Sequence, residues 1–181
     1  MISKYAIDPA HSNLQFSVRH LMVSNVRGTF TGVHGTVTYD PANPTRAEVE
    51  ASVDVNTIRT GDEKRDGHLK SPDFFNAAEF PEMQFRSTRI EKTGEGEFSV
   101  TGDLTIHGVT KPVTLKAEEV SEETKDPFGA IRIGASAKTK IKRSDFGLTW
   151  NAALETGGVM IGDEVKLDFE LEFVKAQTAA A

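Results

Sequence analysis

Apolar and polar residues alternate along most of this chain with the period of two that is typical of β-strands. The clearest run is the last one, in which every second residue from 165 to 173 is apolar and the residues between them are charged. Shorter runs recur throughout, separated by turn-forming sequences such as YDPANP, TGEGE and HGVTKP. The pattern predicts an all-β protein in which hairpins join most strands into an antiparallel meander. Such a sheet hides its edges by closing into a barrel.

The alternation changes phase once, near Gly32. Apolar and small residues fall on even positions up to Phe30 and on odd positions from Val33 to Tyr39. Because successive side chains point to opposite faces of a strand, this change predicts a β-bulge or a sharp bend at Gly32.

The stretch TGDEKRDGHLKSPDFF interrupts the strands with a dense set of charges. Asp62 is suited to cap a helix with Glu63 in its first turn, and the sequence SPD at 71–73 is a second helix-start signal. Two short helical turns are therefore expected between a strand that ends near Ile58 and one that begins near Met83.

This segment is expected to lie across an open end of the barrel as a cap. Three phenylalanines are available to plug that end: Phe74, Phe75 and Phe80. Four polar residues would then face water or a polar ligand group: Arg65, Asp66, His68 and Lys70. The alternative interpretation is a surface helix with a solvated charged face.

Composition and charge exclude several classes of function. The chain has 181 residues, no cysteine and a formal net charge of −6. The lack of cysteine excludes disulfides, thiolate nucleophiles and iron–sulfur clusters, and the lack of a basic run argues against nucleic acid as a partner. No apolar run reaches the roughly 18 residues of a membrane span, and the first residues do not read as a secretory leader. A cytoplasmic protein that is not an integral membrane protein is expected.

The sequence disfavours two kinds of reactive site. The five histidines include no closely spaced metal-binding pair. A Ser/His/Asp hydrolase is disfavoured because the neighbours His11 and Ser12 would point to opposite faces of a strand, and no G-x-S-x-G motif occurs. We assign no metal site and no catalytic residue, and we interpret Asp8, Pro9, His11 and Ser12 as a structural turn.

The alternation also selects candidates for the inner wall of a barrel. The strand positions chosen are Phe16, Val18, Phe30, Val37, Val53, Phe85, Leu104, Ile106, Leu115, Ile133, Trp150, Leu167 and Phe169. His20 continues the apolar face of its strand, as a core histidine with its hydrogen bonds satisfied or as a ligand contact. Phe146 is expected to point inward after a turn at Asp145, and the cap contributes Phe74 and Phe75. An error of one residue in phase would move any strand position to the outer face.

Three cationic or titratable side chains are candidates for binding a polar head group. They are Arg19, Arg65 and His68. Phosphate recognition favours such donors, so an anionic head group is the ligand chemistry that these residues suggest.

The chain resembles the YceI-like family of lipocalin-like proteins that bind polyisoprenoids. The resemblance covers nearly the whole sequence through the segments IDPAHSNLQFSVRHL, GTFTGVHGTV, NTIRTGDEKRDGHLKSPDFFNAAEFPEMQF, GDLTIHGVTKPV and IKRSDFGL. It implies an extended eight-stranded antiparallel barrel over residues 1–174, with a helix near one end and an apolar tunnel for a long isoprenoid chain. Homodimers are a further expectation of the resemblance. The tail at 175–181 is expected to be disordered.

The hypothesis from the sequence is a non-enzymatic protein that sequesters or transports a polyprenyl lipid or a quinone tail. That lipid is its ligand, and no other cofactor is expected. One alternative is an enzyme acting on isoprenoid lipids, which requires an ionisable cluster inside the tunnel. The other is an interaction module whose barrel is filled by its own side chains. If ligand exchange requires the cap to loosen, replacing Phe74 and Phe75 with serine should speed lipid loss.

Overall fold

Eleven β-strands form one continuous antiparallel sheet in the computed structural model, which describes residues 1–176. The strands are β1 (Ser3–Ile7), β2 (Asn13–His20), β3 (Ser24–Phe30), β4 (Val33–Tyr39), β5 (Glu48–Asp54), β6 (Glu82–Gly94), β7 (Glu97–Ile106), β8 (Val109–Glu118), β9 (Thr124–Lys125), β10 (Ile131–Lys142) and β11 (Ile161–Lys175). Within the described residues there is one α-helix, α1 (Glu63–Lys70), and three 3-10 helices at Pro44–Arg46, Val55–Thr57 and Arg143–Phe146.

The sheet closes on itself through the long strand β11. One edge of β11 pairs with β10 from Glu164 to Val174, and the other edge pairs with β1 near Phe173. The order β1-β4-β5-β6-β7-β8-β10-β11 thus forms a closed eight-stranded antiparallel barrel, which confirms the predicted fold. Closure leaves these strands without a free edge along the barrel wall.

The β2–β3 hairpin extends the barrel beyond β1 and β4. Strand β2 pairs with the same edge of β11 as β1 does, and β3 pairs with β2. The break between β3 and β4 falls at residues 31–32, where the change of phase predicted a bend. An added Cβ at Gly32 would lie 2.8 Å from Thr57 Cγ2 and 2.9 Å from Asp54 Cβ, so the close approach of these segments requires glycine here.

The charged segment forms one helix, followed by a single turn. Asp62 Oδ1 accepts a hydrogen bond from the backbone N–H of Arg65 at 3.0 Å, so the predicted N-cap is present. At the second predicted helical turn a single hydrogen-bonded turn forms, in which the Phe74 N–H bonds the Ser71 carbonyl at 3.0 Å, but no second helix follows. The chain instead folds back on the end of α1, where the N–H of Phe75 bonds the Leu69 carbonyl and the N–H of Ala77 bonds the Lys70 carbonyl. These last carbonyls of the helix have no partner within it, which favours the turn.

The densest part of the core lies at the end of the barrel next to α1, which we call the closed end. Phe30, Ile58 and Phe146 are 2 %, 0 % and 1 % exposed there. The ring of Phe30 lies between Phe16 and Phe75, with centroid distances of 5.6 and 5.8 Å. Large buried side chains therefore pack against one another at this end.

The C-terminal residues continue the barrel further than the sequence suggested. Lys175, the first residue of the predicted tail, is the last residue of β11, and the N–H of Ala176 bonds the Lys4 carbonyl at 2.7 Å. The rest of the predicted tail, 177–181, lies outside the described residues.

Candidate functional site

The barrel encloses a cavity of about 190 Å³. Its wall consists of inward-pointing side chains from β1, β2, β4–β8, β10 and β11. Nine residues that the alternation selected lie in this wall: Val37, Val53, Phe85, Leu104, Ile106, Leu115, Ile133, Leu167 and Phe169.

The wall is almost entirely apolar. Among its residues only Tyr5, Tyr39, Gln84 and Thr139 have side-chain nitrogen or oxygen atoms, and none of these described wall residues is Asp, Glu, Lys, Arg or His. Such a surface binds by hydrophobic contact and dispersion, which are non-directional and scale with the area removed from water. The cavity therefore suits a long apolar chain better than a compact polar molecule.

On the side of β10 and β11 the cavity ends near the middle of the barrel, whereas along β5, β6 and β7 it reaches Val53, Met83 and Ile106 near the closed end. Leu14 lines the cavity, whereas Phe30, which pairs with it across the strands, does not. Likewise Leu167 lines the cavity but Val165, two residues closer to the closed end, does not. The packed core at the closed end therefore blocks the cavity on that side.

The cavity extends toward the opposite end of the barrel, which we call the mouth. Tyr39, Pro44 and Ala47 line it there, together with Val120 from the segment 119–123. The Val120 N–H bonds the Gly96 carbonyl at 3.1 Å on one side of the mouth. The Ser121 N–H donates a hydrogen bond to the Gly134 carbonyl, and the Ser121 hydroxyl accepts one from the Gly134 N–H. The segment 119–123, which we call the rim strap, thus connects the β6–β7 turn to β10.

A small polar network holds the rim strap to the barrel. Tyr5 Oη donates a hydrogen bond to Glu123 Oε1, and Lys175 Nζ donates to the same oxygen at 2.7 Å. The hydrogen bond from Lys175, followed by that from Tyr5, lowers the pKa of Glu123. Burial, followed by the bond to Glu123, raises the pKa of Tyr5. The mouth therefore combines an apolar wall with hydroxyl, carboxylate and ammonium groups at its edge.

Eight predicted wall residues lie elsewhere. These are Phe16, Val18, His20, Phe30, Phe74, Phe75, Phe146 and Trp150. Phe30 and Phe146 fill the closed end beneath the cavity, and Val18 pairs with Val165, also on the closed-end side of Leu167. These eight residues follow the same hydrophobic pattern as the wall residues. Alternation therefore could not show which inward positions fill the closed end and which line the cavity.

The cap is a compact aromatic cluster that does not border the cavity. The ring of His68 lies 5.0 Å from Phe74 and 4.8 Å from Trp150, between centroids. Phe80 packs against His107 in the β7–β8 turn at 4.9 Å. The phenylalanines expected to plug the tunnel therefore cover the outside of an end that is already packed.

The three head-group candidates also lie at the closed end, and none lines the cavity. Arg65 donates through Nε to Thr60 Oγ1 and through Nη2 to the Thr60 carbonyl, both at 2.8 Å. His68 Nε2 lies 2.8 Å from Asp73 Oδ2, and Arg19 Nη2 donates to the Met22 carbonyl at 3.1 Å. Each side chain therefore has a local partner.

Asp66 has a structural place as well. It is 7 % exposed and accepts hydrogen bonds from the Thr60 N–H and hydroxyl at 2.9 and 2.6 Å. The carboxylate joins α1 to the chain that precedes it. Among the polar residues of the cap, Asp66 is thus turned toward the protein itself.

Sequence reasoning missed the small residues of the wall and the residues of the mouth. Ala117, Ala135 and Ala137 belong to alternating runs and line the cavity. The sequence signal for a cavity was this set of small side chains on the inner face, because small side chains leave volume unfilled. Tyr5 and Glu123 are 118 residues apart, and nothing local in the sequence predicts their contact.

The turn before β2 carries a cluster with metal-ligand chemistry, formed by Asp8, His11 and Glu172. A guanidinium already occupies its centre, because Arg132 Nη1 bonds both Asp8, at 2.8 Å, and Glu172. Arg132 Nε also bonds Asp126 at 2.7 Å. The hydrogen bond from Arg132, followed by that from His11, lowers the pKa of Asp8 to about 2. The arrangement is an ion-pair clamp between the turn, β10 and β11.

No helix within residues 1–176 has the length and apolar character required to cross a membrane.

An antiparallel barrel with a filled closed end and an apolar cavity beneath an open rim defines the protein as a lipocalin-like binding barrel. The model of the YceI-like domain matches residues 5–173, and the chain belongs to this family. It is 41 % identical over 149 residues to Protein YceI of Salmonella newport, an alignment that covers 81 % of this chain and 77 % of that protein.

Two solved structures are similar to the whole barrel. Burkholderia cenocepacia BcnA is 25 % identical, with a TM-score of 0.80 and coverage of 92 % of this chain and 98 % of that one. A polyisoprenoid binding domain from Saccharophagus degradans is 19 % identical, with a TM-score of 0.68 and coverage of 95 % and 98 %. The second likeness shows the fold alone. The two likenesses confirm the predicted fold, and the match to the YceI-like domain model with the Salmonella relative confirms the predicted family.

Proposed function

We propose that this protein binds a long isoprenoid lipid by its hydrocarbon chain in the barrel cavity and carries or sequesters it without changing it chemically. The observation that supports this most directly is a cavity wall with no acidic, basic or imidazole side chain. General acid–base catalysis requires such a group within reach of the bound molecule. Membership in the YceI-like family, and the polyisoprenoid binding named for the Saccharophagus degradans domain, support the same ligand class.

The apolar wall favours a long chain over a short one. Burial of each CH₂ group stabilises a complex by roughly 0.8 kcal/mol, while association costs an estimated 4–15 kcal/mol. Removal of about 20 carbons from water would offset the upper end of this cost, so a chain that binds firmly without polar contacts would have to bury carbons against the mouth as well as in the 190 Å³ cavity. A polyprenyl lipid or the tail of a quinone meets this requirement, and its head group would lie at the mouth beside Tyr5 and Tyr39.

The test is to identify what the barrel retains. The purified protein is extracted with organic solvent and the extract is analysed by mass spectrometry, before and after incubation with geranylgeraniol or a long-chain quinone. We expect a retained isoprenoid, recovered chemically unchanged. A chemically altered lipid would favour the enzyme alternative, and failure to retain any isoprenoid would favour the filled barrel.

A matched pair of variants assigns the retained lipid to the cavity. Ala137 lies between Phe169 and Ala117 across the strands, so Ala137→Phe places a ring in the cavity. Lys166→Phe adds the same ring to the exposed face of neighbouring β11. We expect Ala137→Phe to lose most of the bound lipid and Lys166→Phe to keep it. Equal lipid content in the two variants would place the lipid outside the barrel.

A further inference from the structure

The tip of the β2–β3 hairpin exposes an apolar patch at the closed end. Leu21, Met22 and Val23 are 39 %, 56 % and 73 % exposed. Val159, which is 40 % exposed, lies in the adjoining loop, whose next residue, Met160, accepts a hydrogen bond from the Leu21 N–H at 2.8 Å. Large apolar side chains thus face water together at one point of the surface.

The backbone of this tip does not favour the residues that it carries. Leu21 and Met22 have φ angles of 52° and 63°, and the Val23 N–H bonds the His20 carbonyl at 3.1 Å. A β-turn with both central residues in the left-handed region, as at 20–23, is best served by Asn-Gly. Leu21 and Met22 therefore stabilise neither the turn nor the core, which indicates that these side chains have another role.

The hairpin is cationic although the protein as a whole is acidic. Residues 13–30 contain Arg19 and Arg27 but no aspartate or glutamate, in a chain whose formal net charge is −6. Arg19 donates to the Met22 carbonyl, which places its guanidinium at the base of the tip. An apolar tip beside arginine is the combination that binds anionic lipid surfaces.

The balance of charge around the tip differs from that at the mouth. In the adjoining start of β11, Asp163 accepts a hydrogen bond from Ser144 at 2.8 Å, and the preceding loop contains Glu155. At the opposite end, the segment 118–126 alone has five acidic residues and one lysine. The cap at the same end adds Asp62, Glu63 and Asp73, which are offset by Lys64, Arg65 and Lys70, so the surface around the tip is less negative than the rim strap.

We propose that the hairpin tip is a docking surface for an anionic lipid bilayer. The side chains of Leu21, Met22 and Val23 enter the interfacial region, and Arg19 contacts lipid phosphates. The mouth then faces the aqueous phase.

A second copy of the chain fits this surface less well. Stable protein interfaces bury about 800 Å² on each partner through roughly 20–30 residues, far more than this patch of four offers. Two identical tips would also bring the arginines of both copies together. The bilayer has neither limitation.

The experiment measures co-sedimentation of the full chain with vesicles of equal parts phosphatidylglycerol and phosphatidylcholine, and with vesicles of phosphatidylcholine alone. The vesicles contain no isoprenoid, so the outcome is independent of what the cavity binds. The wild type should bind the anionic vesicles, and the double variant Leu21→Asn/Met22→Gly should bind about tenfold more weakly because two apolar side chains are lost. Arg19→Gln should weaken binding several-fold and reduce its dependence on salt.

The double variant carries its own folding control. Asn-Gly suits the turn, so its melting temperature should equal or exceed that of the wild type. Phe128→Ser, which removes a phenylalanine that is 96 % exposed near the mouth, should leave vesicle binding unchanged. Absence of binding to anionic vesicles, or an equal loss in Phe128→Ser, would overturn the proposal. The proposal would also be overturned if the wild type self-associated without binding vesicles and the double variant abolished that self-association. The tip would then contact a second copy of the chain.

Discussion

The two ends of this barrel are built from the same alternating strands but differ in what fills them. At the closed end, large side chains such as Phe30 and Phe146 are almost fully buried in the core. Toward the mouth, Ala117, Ala135 and Ala137 occupy equivalent inward positions and a cavity remains. The comparison shows that the period of hydrophobic residues defines the inner face, whereas the volume of the side chains on that face decides whether the interior is solid or hollow.

The two ends are also held together by different interactions. At the closed end the buried guanidinium of Arg143 donates to backbone carbonyls, including those of Leu148, Trp150 and Gly162 at 2.7, 2.9 and 2.8 Å. At the mouth, ion pairs around Arg132 and Glu123 connect segments distant in sequence. The closed end should therefore respond most to changes in packing, and the mouth to changes in pH and ligand.

The largest expected effect comes from removing a phenylalanine at each end. Phe146→Ala opens a cavity in a filled core and should lower the free energy of unfolding by about 3–5 kcal/mol. Phe169→Ala enlarges an existing cavity and should cost about 1–2 kcal/mol. Urea denaturation of both variants measures the difference. Similar losses in both would mean that the two ends are packed alike.

Replacing Arg143 should have the next largest effect. Arg143→Lys keeps the charge, but the lysine ammonium lacks the planar guanidinium that donates to several carbonyls at once. We therefore expect a loss of about 2–3 kcal/mol in the free energy of unfolding. Arg89→Lys is the control, because Arg89 forms an exposed pair with Glu91 and should change stability by less than about 0.5 kcal/mol. Equal effects at the two positions would contradict the role assigned to Arg143.

Acid should weaken the mouth through the Arg132 clamp. The pKa of Asp8 in the folded protein, about 2, lies below its usual value of 3.8, so the ion pair stabilises the fold above about pH 4 and is lost as pH falls toward about 2. Allowing for solvent screening, this contributes about 1 kcal/mol. The stability difference between wild type and Arg132→Met should therefore shrink across this window in pH-dependent urea titrations. A constant difference would show that Asp8 does not depend on Arg132.

The smallest expected effect on stability, at most about 1 kcal/mol, comes from Glu123→Gln at the rim strap. If the mouth admits ligand, this variant should release labelled geranylgeraniol to acceptor vesicles several-fold faster than the wild type. Glu122→Gln alters the neighbouring carboxylate and serves as the control. Phe74→Ser should leave the release rate unchanged, because Phe74 does not line the cavity. This differs from the faster release expected from the sequence. Faster release from Phe74→Ser alone would instead assign ligand exchange to the closed end.

Local physical chemistry made much of the architecture readable from the sequence. The alternation around Leu104 and Leu167 placed these side chains correctly on the inner face, and Asp62 marked the start of α1. The bend at Gly32 was visible as a change of phase. Each of these features depends on residues within a few positions of one another, so the order of residues alone determined it.

Only the tertiary structure decided which part of the barrel interior is hollow and which end is open. Phe30 and Phe85 have the same pattern around them, yet one fills the core and the other lines the cavity. The contacts of Glu123 with Tyr5 and of Arg132 with Asp8 join residues more than a hundred positions apart. Barrel closure creates such contacts, because strand pairing brings together side chains whose separation along the chain carries no information about their distance in space.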